Sequence, residues 1–390
     1  MSKKVLILDC VDVINRRISE YKGEKLYIST GAVDINKVDY KQAQVVTFSN
    51  RPSRANVVAQ ENEILFAKMK DTQKTLLVTG IEQELIFSTG FYCLRAKRNK
   101  VLPKFLFSYI NSPFFLEQKD KYCTGATQQA LNNDGLSKII IPVLKLEEQK
   151  KIAEILDKAS TLISLRKKQI EKLDFLVKAK FVEMFGDPIA NENNFKIHSL
   201  MDCYDKEDAI KCGPFGSALK KDEYIESGIP VWNMDNITKQ GRFIKTANLW
   251  IALEKYHELK SYSVHNGDII ISRAGTVGKM CVVSSEYENS IISTNLIRLR
   301  LNERILPLYF VMLVNVHGNK VCQLRTGGDN AFTHMNTGVL NSIKIPLPPL
   351  DLQTQFASFV QQVEQQKAQL QQALEKLELN YKALMQQYFG

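Results

Sequence analysis

Two long stretches of this chain carry apolar residues at a regular spacing of seven. The first column is Leu156, Ile163, Ile170, Val177 and Met184, and the second is Phe356, Val363, Leu370, Leu377 and Leu384. A heptad repeat keeps apolar side chains on one side of an α-helix, so each stretch predicts a helix that packs as a coiled coil. Prolines lie upstream of both stretches, and Gly186-Asp187-Pro188 ends the first.

Neither apolar stripe is stable in water, so the two helices are predicted to pair with each other. A helix of about 38 residues is roughly 57 Å long. Because a globular segment precedes each helix, an antiparallel pair would act as a spacer of fixed length between two globular units. The alternative is that each helix folds back on its own domain.

The globular segments contain short apolar runs that are followed by polar loops. Glu63-Ile64-Leu65-Phe66 and Asp268-Ile269-Ile270-Ile271 are strand-like, and each leads into a loop with basic residues. Strands and long helices in separate segments predict an α+β fold.

The second half of the chain repeats the first. Ile141-Pro142 matches Ile345-Pro346, and Gln149 matches Gln353, both at an offset of 204 residues. The strand-like runs match at an offset of 205 residues. A repeat of this length predicts two units with separate cores, related by a pseudo-two-fold axis. The predicted segments are a first domain over 1–145, a helix over 146–186, a second domain over 187–349 and a helix over 350–390.

Composition narrows the class of protein. The net charge is +10, and residues 1–145 hold most of it, with 22 basic against 14 acidic residues. A basic surplus suits a polyanionic partner, although alone it is weak evidence for DNA. Seven scattered cysteines indicate reduced thiols and no zinc site, and no segment predicts a membrane span. We therefore expect a cytoplasmic protein without a membrane partner.

Several loops carry side chains that suit contact with DNA. Cations and hydroxyls hold phosphates, and Asn, Gln and Arg read base edges. In the second domain, Asn233, Asp235 and Asn236 follow a predicted strand and could reach base edges. The candidate contact residues are Lys68, Lys70, Thr127, Gln128, Lys220, Lys221, Asn233, Arg273, Thr276, Lys279, Arg325 and Asn330. The alternative for the loop that begins at Arg273 is a β-hairpin turn, and for the other residues an ordinary polar loop.

The sequence lacks the motifs of common enzymes. It contains no His-Glu-x-x-His, no Gly-x-Ser-x-Gly, no Gly-x-Gly cofactor loop and no Asn-Pro-Pro-aromatic signature of a methyltransferase. This absence favours a binding subunit over an enzyme.

Taken together, the motifs resemble those of the specificity subunit of type I restriction-modification systems. The resemblance rests on the two Ile-Pro to Leu-x-x-Gln junctions, on Gly213-Pro214-Phe215-Gly216-Ser217 and on Ser272 to Lys279, in the order of a duplicated domain and helix. It also includes Thr124 to Leu131 and Phe185-Gly186-Asp187-Pro188.

The resemblance implies two target-recognition domains that each read half of a split DNA sequence, with helices that set the spacing. It further implies docking of two modification subunits and of restriction subunits. S-adenosylmethionine, ATP and Mg²⁺ would be bound by those partners, and this chain would bind no cofactor or metal and catalyse no reaction. The alternatives are a stand-alone nuclease and a coiled-coil scaffold without bipartite recognition.

The first domain departs from the common pattern. No Gly-Pro-Phe-Gly-Ser lies near Arg16-Arg17, and Ala67-Lys68-Met69-Lys70 stands in place of the Arg-x-Gly-Thr-x-Gly-Lys loop. We therefore expect the two domains to read unrelated half-sites, and the contacts of the first domain are less well specified.

Overall fold

A computed structural model describes residues 3–215, 218–273, 276–325 and 335–390. The described helices, in chain order, are α1 (Ile7–Cys10), α2 (Pro103–Ile110), α3 (Pro113–Lys121), α4 (Asn133–Ser137), α5 (Leu146–Phe185), α6 (Leu253–Glu258), α7 (Pro307–Gln323), α8 (Thr337–Asn341) and α9 (Leu350–Phe389).

Most of the strands are short. Those of the first domain are β1 (Lys3–Leu6), β2 (Val11–Val13), β3 (Lys25–Ile28), β4 (Val33–Asp34), β5 (Lys37–Val38), β6 (Gln44–Val46), β7 (Ala55–Val57), β8 (Glu63–Ala67), β9 (Thr75–Leu77), β10 (Ile86–Ser88), β11 (Phe91–Ala96), β12 (Cys123–Thr124), β13 (Ala130–Leu131) and β14 (Ile140–Val143). Those of the second domain are β15 (Lys196–Ser199), β16 (Ile210–Cys212), β17 (Ile229–Trp232), β18 (Trp250–Ile251), β19 (Ile269–Ser272), β20 (Met280–Val282), β21 (Ile291–Ile292), β22 (Leu296–Leu299) and β23 (Lys344–Leu347).

The chain divides into two compact units, and their boundaries fall within the long helices. Unit 1 is Met1–Lys168 with Gln371–Gly390, and unit 2 is Gln169–Leu370. Each unit therefore contains one globular domain, part of α5 and part of α9. Whereas the sequence separated domains from helices, the contacts group each domain with the parts of both helices on which it packs.

The two units share a sheet plan. Unit 1 has a four-stranded antiparallel sheet in the order β2-β11-β8-β9, and unit 2 has one in the order β16-β22-β19-β20. A second sheet contains a parallel pair, β3–β10 in unit 1 and β17–β21 in unit 2. A third, two-stranded sheet joins the first strand of each domain to the last, as β1–β14 and β15–β23. The α+β class and the internal repeat are confirmed.

The predicted long helices are confirmed, and within each unit they run in opposite directions. In unit 1, Lys167 pairs with Glu378 at 2.8 Å, and Leu156 shares a buried cluster with Phe389. In unit 2, Lys367 donates to Asp174 at 2.7 Å, and the rings of Phe185 and Phe356 lie 5.5 Å apart. All ten residues of the two heptad columns are buried or half-buried.

Each long helix is fixed to the preceding domain by a buried glutamine near its start. The side chain of Gln149 accepts from Leu102 N at 2.9 Å and donates to Lys100 O at 2.9 Å. Gln353 accepts from Leu306 N at 2.7 Å and donates to Arg304 O at 3.4 Å. The Leu-x-x-Gln motif is therefore a structural junction, because its amide satisfies backbone groups that would otherwise be buried without partners.

Within unit 2, Arg242 links a turn of the globular domain to both helix segments. Its guanidinium forms ion pairs with Asp174 of α5 and, at 2.6 Å, with Glu364 of α9. Gly241 in this turn has φ +76°, and a Cβ there would lie 1.9 Å from Asn315 Nδ2. The tight turn thus brings the Arg242 side chain against the helices.

We expect Arg242→Gln to lower the free energy of unfolding of unit 2 by about 1–2 kcal/mol, because the pairs are only partly buried. Burial would raise the pKa of Asp174, but hydrogen bonds from Arg242 and Lys367 hold it below its usual value. The stabilisation is therefore present above pH about 4 and lost as the pH falls further. Urea unfolding at pH 7 and pH 3.5 measures both effects. Lys239→Gln, at an exposed position of the same turn, is the control and should change neither.

Candidate nucleic-acid interface

In both units, a basic loop follows one of the two central strands of the four-stranded antiparallel sheet. Lys68 follows β8 and Arg273 follows β19, at the 205-residue offset. Lys68 N donates to Gly90 O at 2.9 Å, and Arg273 N donates to Asn295 O at 2.9 Å, so the two loops begin with the same backbone contact. The sequence prediction that the segment at Lys68 replaces the glycine loop agrees with this placement.

The two loops also end alike. Ala67 N donates to Lys74 O, and Ser272 N donates to Lys279 O, both at 2.8 Å. Lys74 therefore occupies in unit 1 the place that Lys279 occupies in unit 2. Sequence reasoning did not select Lys74, although the 205-residue offset alone would have identified it.

In unit 1, the structure brings together all four candidate residues on two adjacent loops. Leu131 N donates to Lys68 O at 2.8 Å, and Lys70 N donates to Gln129 O at 3.0 Å, so the loop containing Thr127 and Gln128 lies against the loop containing Lys68 and Lys70. Lys70, Thr127 and Gln128 are exposed. The Gln128 amide donates to Met69 Sδ at 3.2 Å.

Lys68 is half-buried. Its ammonium lies 4.6 Å from the centre of the Tyr92 ring and donates to Thr89 O at 3.0 Å. Burial lowers the pKa of Lys68. Within the described residues, no carboxylate forms an ion pair with Lys68 that would oppose this effect. A cation in this setting favours an incoming anion.

A buried lysine holds the first of these loops in place. Lys119 of α3 is 1% exposed, and its ammonium donates to Met69 O at 2.6 Å and to Thr72 O at 3.1 Å. Its third partner, Asp120 at 2.8 Å, accepts from Asp71 N at 3.1 Å. The loop of unit 1 is thus held in place by the side chain of Lys119.

We expect Lys119→Met to destabilise unit 1 by about 2–3 kcal/mol, because two carbonyl groups lose a charged donor in a buried place. The loop should then lose its conformation, so recognition by unit 1 should weaken more than recognition by unit 2. Urea unfolding and the DNA sequence preference of each half-site are the measurements. Lys121→Met, an exposed position on the same helix, is the matched control. Equal weakening at both half-sites would contradict the role.

In unit 2, the two segments that contain Asn233 and Arg273 to Lys279 meet each other, and Arg273 also meets the Gly-Pro-Phe motif. The guanidinium of Arg273 lies 4.7 Å from the ring centre of Phe215, and Lys279 Nζ donates to Met234 O at 3.3 Å. Thr276, between these two residues, is exposed. A Cβ on Gly213 would lie 2.0 Å from Ser293 O, which explains the glycine that opens the Gly-Pro-Phe motif.

The asparagines near this site have structural partners. The Asn233 side-chain oxygen accepts from Asp235 N at 2.7 Å and caps the 3₁₀ helix Met234–Asn236. Asn236 is 1% exposed and donates to Ile244 O and Thr246 O. The expectation that Asn236 reaches base edges is therefore wrong, because its amide is used inside the domain. Asn233 stays a prediction.

The remaining predicted residues of unit 2 lie on other elements. Lys220 and Lys221 are exposed at the 3₁₀ helix Lys221–Glu223, where Glu223 pairs with Lys255 of α6 at 2.7 Å. Arg325 follows α7 and donates to Ser342 Oγ at 3.0 Å. Asn330 lies outside the described residues.

No group of His, Cys, Asp and Glu side chains in the described ranges could hold a metal ion. The described part of the chain contains no helix with the length and apolar character that a membrane crossing needs. What each domain presents is cations, hydroxyls and amides on neighbouring loops. This duplicated plan is typical of a nucleic-acid-binding protein with two recognition domains.

Comparison with known families identifies this plan. The model of the type I restriction modification DNA specificity domain matches residues 13–174 and 213–379, and the chain belongs to this family. The two matches fall in the two copies of the internal repeat, and each includes most of one globular domain and most of the helix that follows it.

Relatives are found in archaea and bacteria. A protein of Methanocaldococcus jannaschii, provisionally named the type I restriction enzyme MjaX specificity subunit, is 24% identical over 90% of this chain and 83% of its own length. The type I restriction enzyme StySPI specificity subunit of Salmonella potsdam is 22% identical over 86% of this chain and 73% of its own length.

Two solved structures have the same fold. A chain from a study of complex assembly and conformational transition of the type I restriction-modification system aligns with a TM-score of 0.62 and 20% identity, covering 99% of this chain and 97% of its own. The type I restriction-modification S subunit of M. genitalium aligns with a TM-score of 0.57 and 16% identity, covering 100% of this chain and 96% of its own.

Proposed function

We propose that this chain is the non-catalytic DNA-recognition subunit of a type I restriction-modification complex. Each domain reads one half of a split DNA sequence, and the long helices fix the spacing between the halves. The observation that carries the proposal is the repeated loop after β8 and β19, which has the same backbone contacts in both units and a different sequence in each. A shared frame with different side chains suits a protein that reads two different half-sites.

Recognition would combine two kinds of contact. Lys70, Lys221 and Lys279 are proposed to hold phosphates, which positions each domain without reading sequence. Gln128, Arg273 and Thr276 are proposed to read base edges, because amides pair with adenine and guanidinium groups with guanine.

The helices provide a surface for partner subunits. Large apolar side chains stay exposed on them, at Ile155, Leu162, Leu165 and Leu379 in unit 1 and at Phe175, Leu176 and Val182 in unit 2. Phe175 is 70% exposed and Leu379 is 68% exposed, and the two lie 204 residues apart in matching places of the repeat. Large apolar side chains that stay exposed at matching positions of both helices support a protein contact there.

We propose that two modification subunits dock at these matching surfaces and that restriction subunits join the complex. The partners, and not this chain, would bind S-adenosylmethionine, ATP and Mg²⁺ and carry out the chemistry. The complex would act on double-stranded DNA in the cytoplasm.

Mapping of adenine methylation across a genome tests the proposal. Cells with this chain and its modification subunit are compared with cells that lack only this chain. The expected result is a split methylated sequence that disappears with the gene. If no such sequence depends on the gene while the modification subunit is active, the chain is a scaffold or its recognition domains do not function. Metal-dependent DNA cleavage by the purified chain would instead support the nuclease alternative.

A further inference from the structure

A polar cleft in unit 1 lies beside the two candidate loops and contains residues with no role so far. One wall is the segment Ile14–Arg17, which follows β2, and the other is Lys68, which follows β8. Asn56 of β7 and Tyr92 of β11 also line it. The cleft is continuous with the candidate surface because Lys68 belongs to both.

The charge of the cleft suits an anion. Arg16, Arg17 and Lys68 line it, and none of the described residues that line it is acidic. The charge of Arg16 is neutralised by the buried carboxylate of Glu63, which is 1% exposed and lies 3.0 Å from the Arg16 guanidinium. Arg17 is exposed and Lys68 has no carboxylate partner within the described residues, so these two cations give the cleft its positive potential.

Two amides stand beside these cations. Asn15 is exposed and Asn56 is half-buried. The Asn56 backbone carbonyl accepts from Ile18 N at 3.1 Å, which fixes β7 against the segment that follows β2. An amide held beside cations is the combination that reads adenine while neighbouring phosphates are neutralised.

Unit 2 has the counterpart of this arrangement. There β16, the edge strand equivalent to β2, leads into Gly213-Pro214-Phe215, and Arg273 at the position of Lys68 stacks on Phe215. The same two segments therefore meet in both units, although the first domain has neither of the motifs that identify them in the second.

We infer that this cleft is part of the DNA-contact surface of unit 1, with Arg17 and Lys68 on backbone phosphates and Asn15 and Asn56 on base edges. The inference rests on the proposed function and adds to it three residues, Asn15, Arg17 and Asn56. The ligand is double-stranded DNA at one half-site.

The test uses the full chain assembled with its modification subunits. The methylated sequence is mapped first for the natural chain, and its duplex then serves as the binding probe. We expect Asn15→Ala and Asn56→Ala each to reduce discrimination at a base pair of one half-site by roughly tenfold or more, with the other half-site unchanged. Arg17→Gln should weaken binding evenly across sequences and reduce the slope of log K against log salt by about 0.9.

Arg98→Gln is the matched control, because Arg98 is an exposed arginine of the same unit that lies outside the cleft, in a hollow beside Pro103 and Lys150. If Asn15→Ala and Asn56→Ala leave both half-sites unchanged and Arg17→Gln behaves like Arg98→Gln, the cleft is not a DNA site. In that case, a loss of discrimination at one half-site in Gln128→Ala would leave the proposed function standing. If the natural complex gives no split sequence, both the cleft and the proposed function fail.

Discussion

A chimaera in which residues 187–349 come from another member of the family keeps one half of its methylated sequence and acquires a new second half. This is expected because each domain has its own sheets, core and candidate loops within its own unit. Both junctions fall outside the paired strands β15 and β23, so the graft keeps this sheet intact, while the core of the domain continues onto Phe181, Phe185 and Phe356 of the helices.

The graft must keep its contacts with the helices. Gln353 bonds the backbone of Leu306, which any donor domain supplies, whereas Arg242 pairs with Asp174 and Glu364 through its side chain. A donor without a cation in this turn should therefore receive one, because otherwise Glu364 loses its ion-pair partner and Asp174 keeps only Lys367.

Methylation mapping of the chimaera and of the reciprocal exchange of residues 3–145 provides the measurement. The reciprocal exchange should change the opposite half only. A chimaera that changes both halves would refute independent reading by the two domains, and one that changes neither would place recognition outside the grafted residues.

Removing both arginines that pair with Glu63 is expected to cause the largest loss of stability. Glu63 is 1% exposed at the start of β8, and it pairs with Arg16 at 3.0 Å and with Arg95 at 2.7 Å. Arg16→Met with Arg95→Met would leave a buried carboxylate without a cation, which costs about 3–5 kcal/mol. Adding Glu63→Leu should restore most of this loss, because an apolar trio needs no neutralisation.

The free energy of unfolding of the double variant, Arg16→Met with Arg95→Met, should also depend on pH differently from that of the natural chain. Burial would raise the pKa of Glu63, but hydrogen bonds from Arg16, Gln60 N and Arg95 lower it in the natural chain. The natural pairing therefore stabilises the fold above pH about 4.3 and is lost as the pH falls through the lowered pKa. In the double variant the hydrogen bond from Gln60 N still opposes the effect of burial but both cations are gone, so the pKa of Glu63 rises and the stability deficit should shrink as the pH falls from 7 towards 4.

Hydrogen exchange of amides in β8 and β11 follows unit 1 separately from unit 2. Protection in the double variant should fall by roughly two to four orders of magnitude at pH 7, following the lost free energy. Unchanged protection would mean that water reaches Glu63 and that the ion pairs contribute little. Unit 2 provides an internal comparison, since its equivalent pair, Asp268 with Arg300 at 2.8 Å, stays intact.

The sequence by itself determined the long helices, the repeat and the existence of two domains. A heptad repeat is a local signal, because it can be recognised without knowing which helix packs against it. The offsets of 204 and 205 residues show that the elements are spaced almost equally in both copies. The repeated glutamines at positions 149 and 353 were visible as a motif, but their role was not. Their bonds to the backbone at Lys100 and Arg304 join positions 49 residues apart, which no local pattern specifies.

Only the tertiary structure decided which loops share a surface. The sheet order β2-β11-β8-β9 brings Arg16 and Lys68 to one cleft and places Lys119 under the loop at Met69. The fold also turns Asn236 inward, where its amide donates to backbone carbonyl groups instead of facing a partner. Residue type and spacing indicate what a side chain is able to bind. Strand pairing between distant segments determines whether that side chain faces a partner or the protein's own backbone.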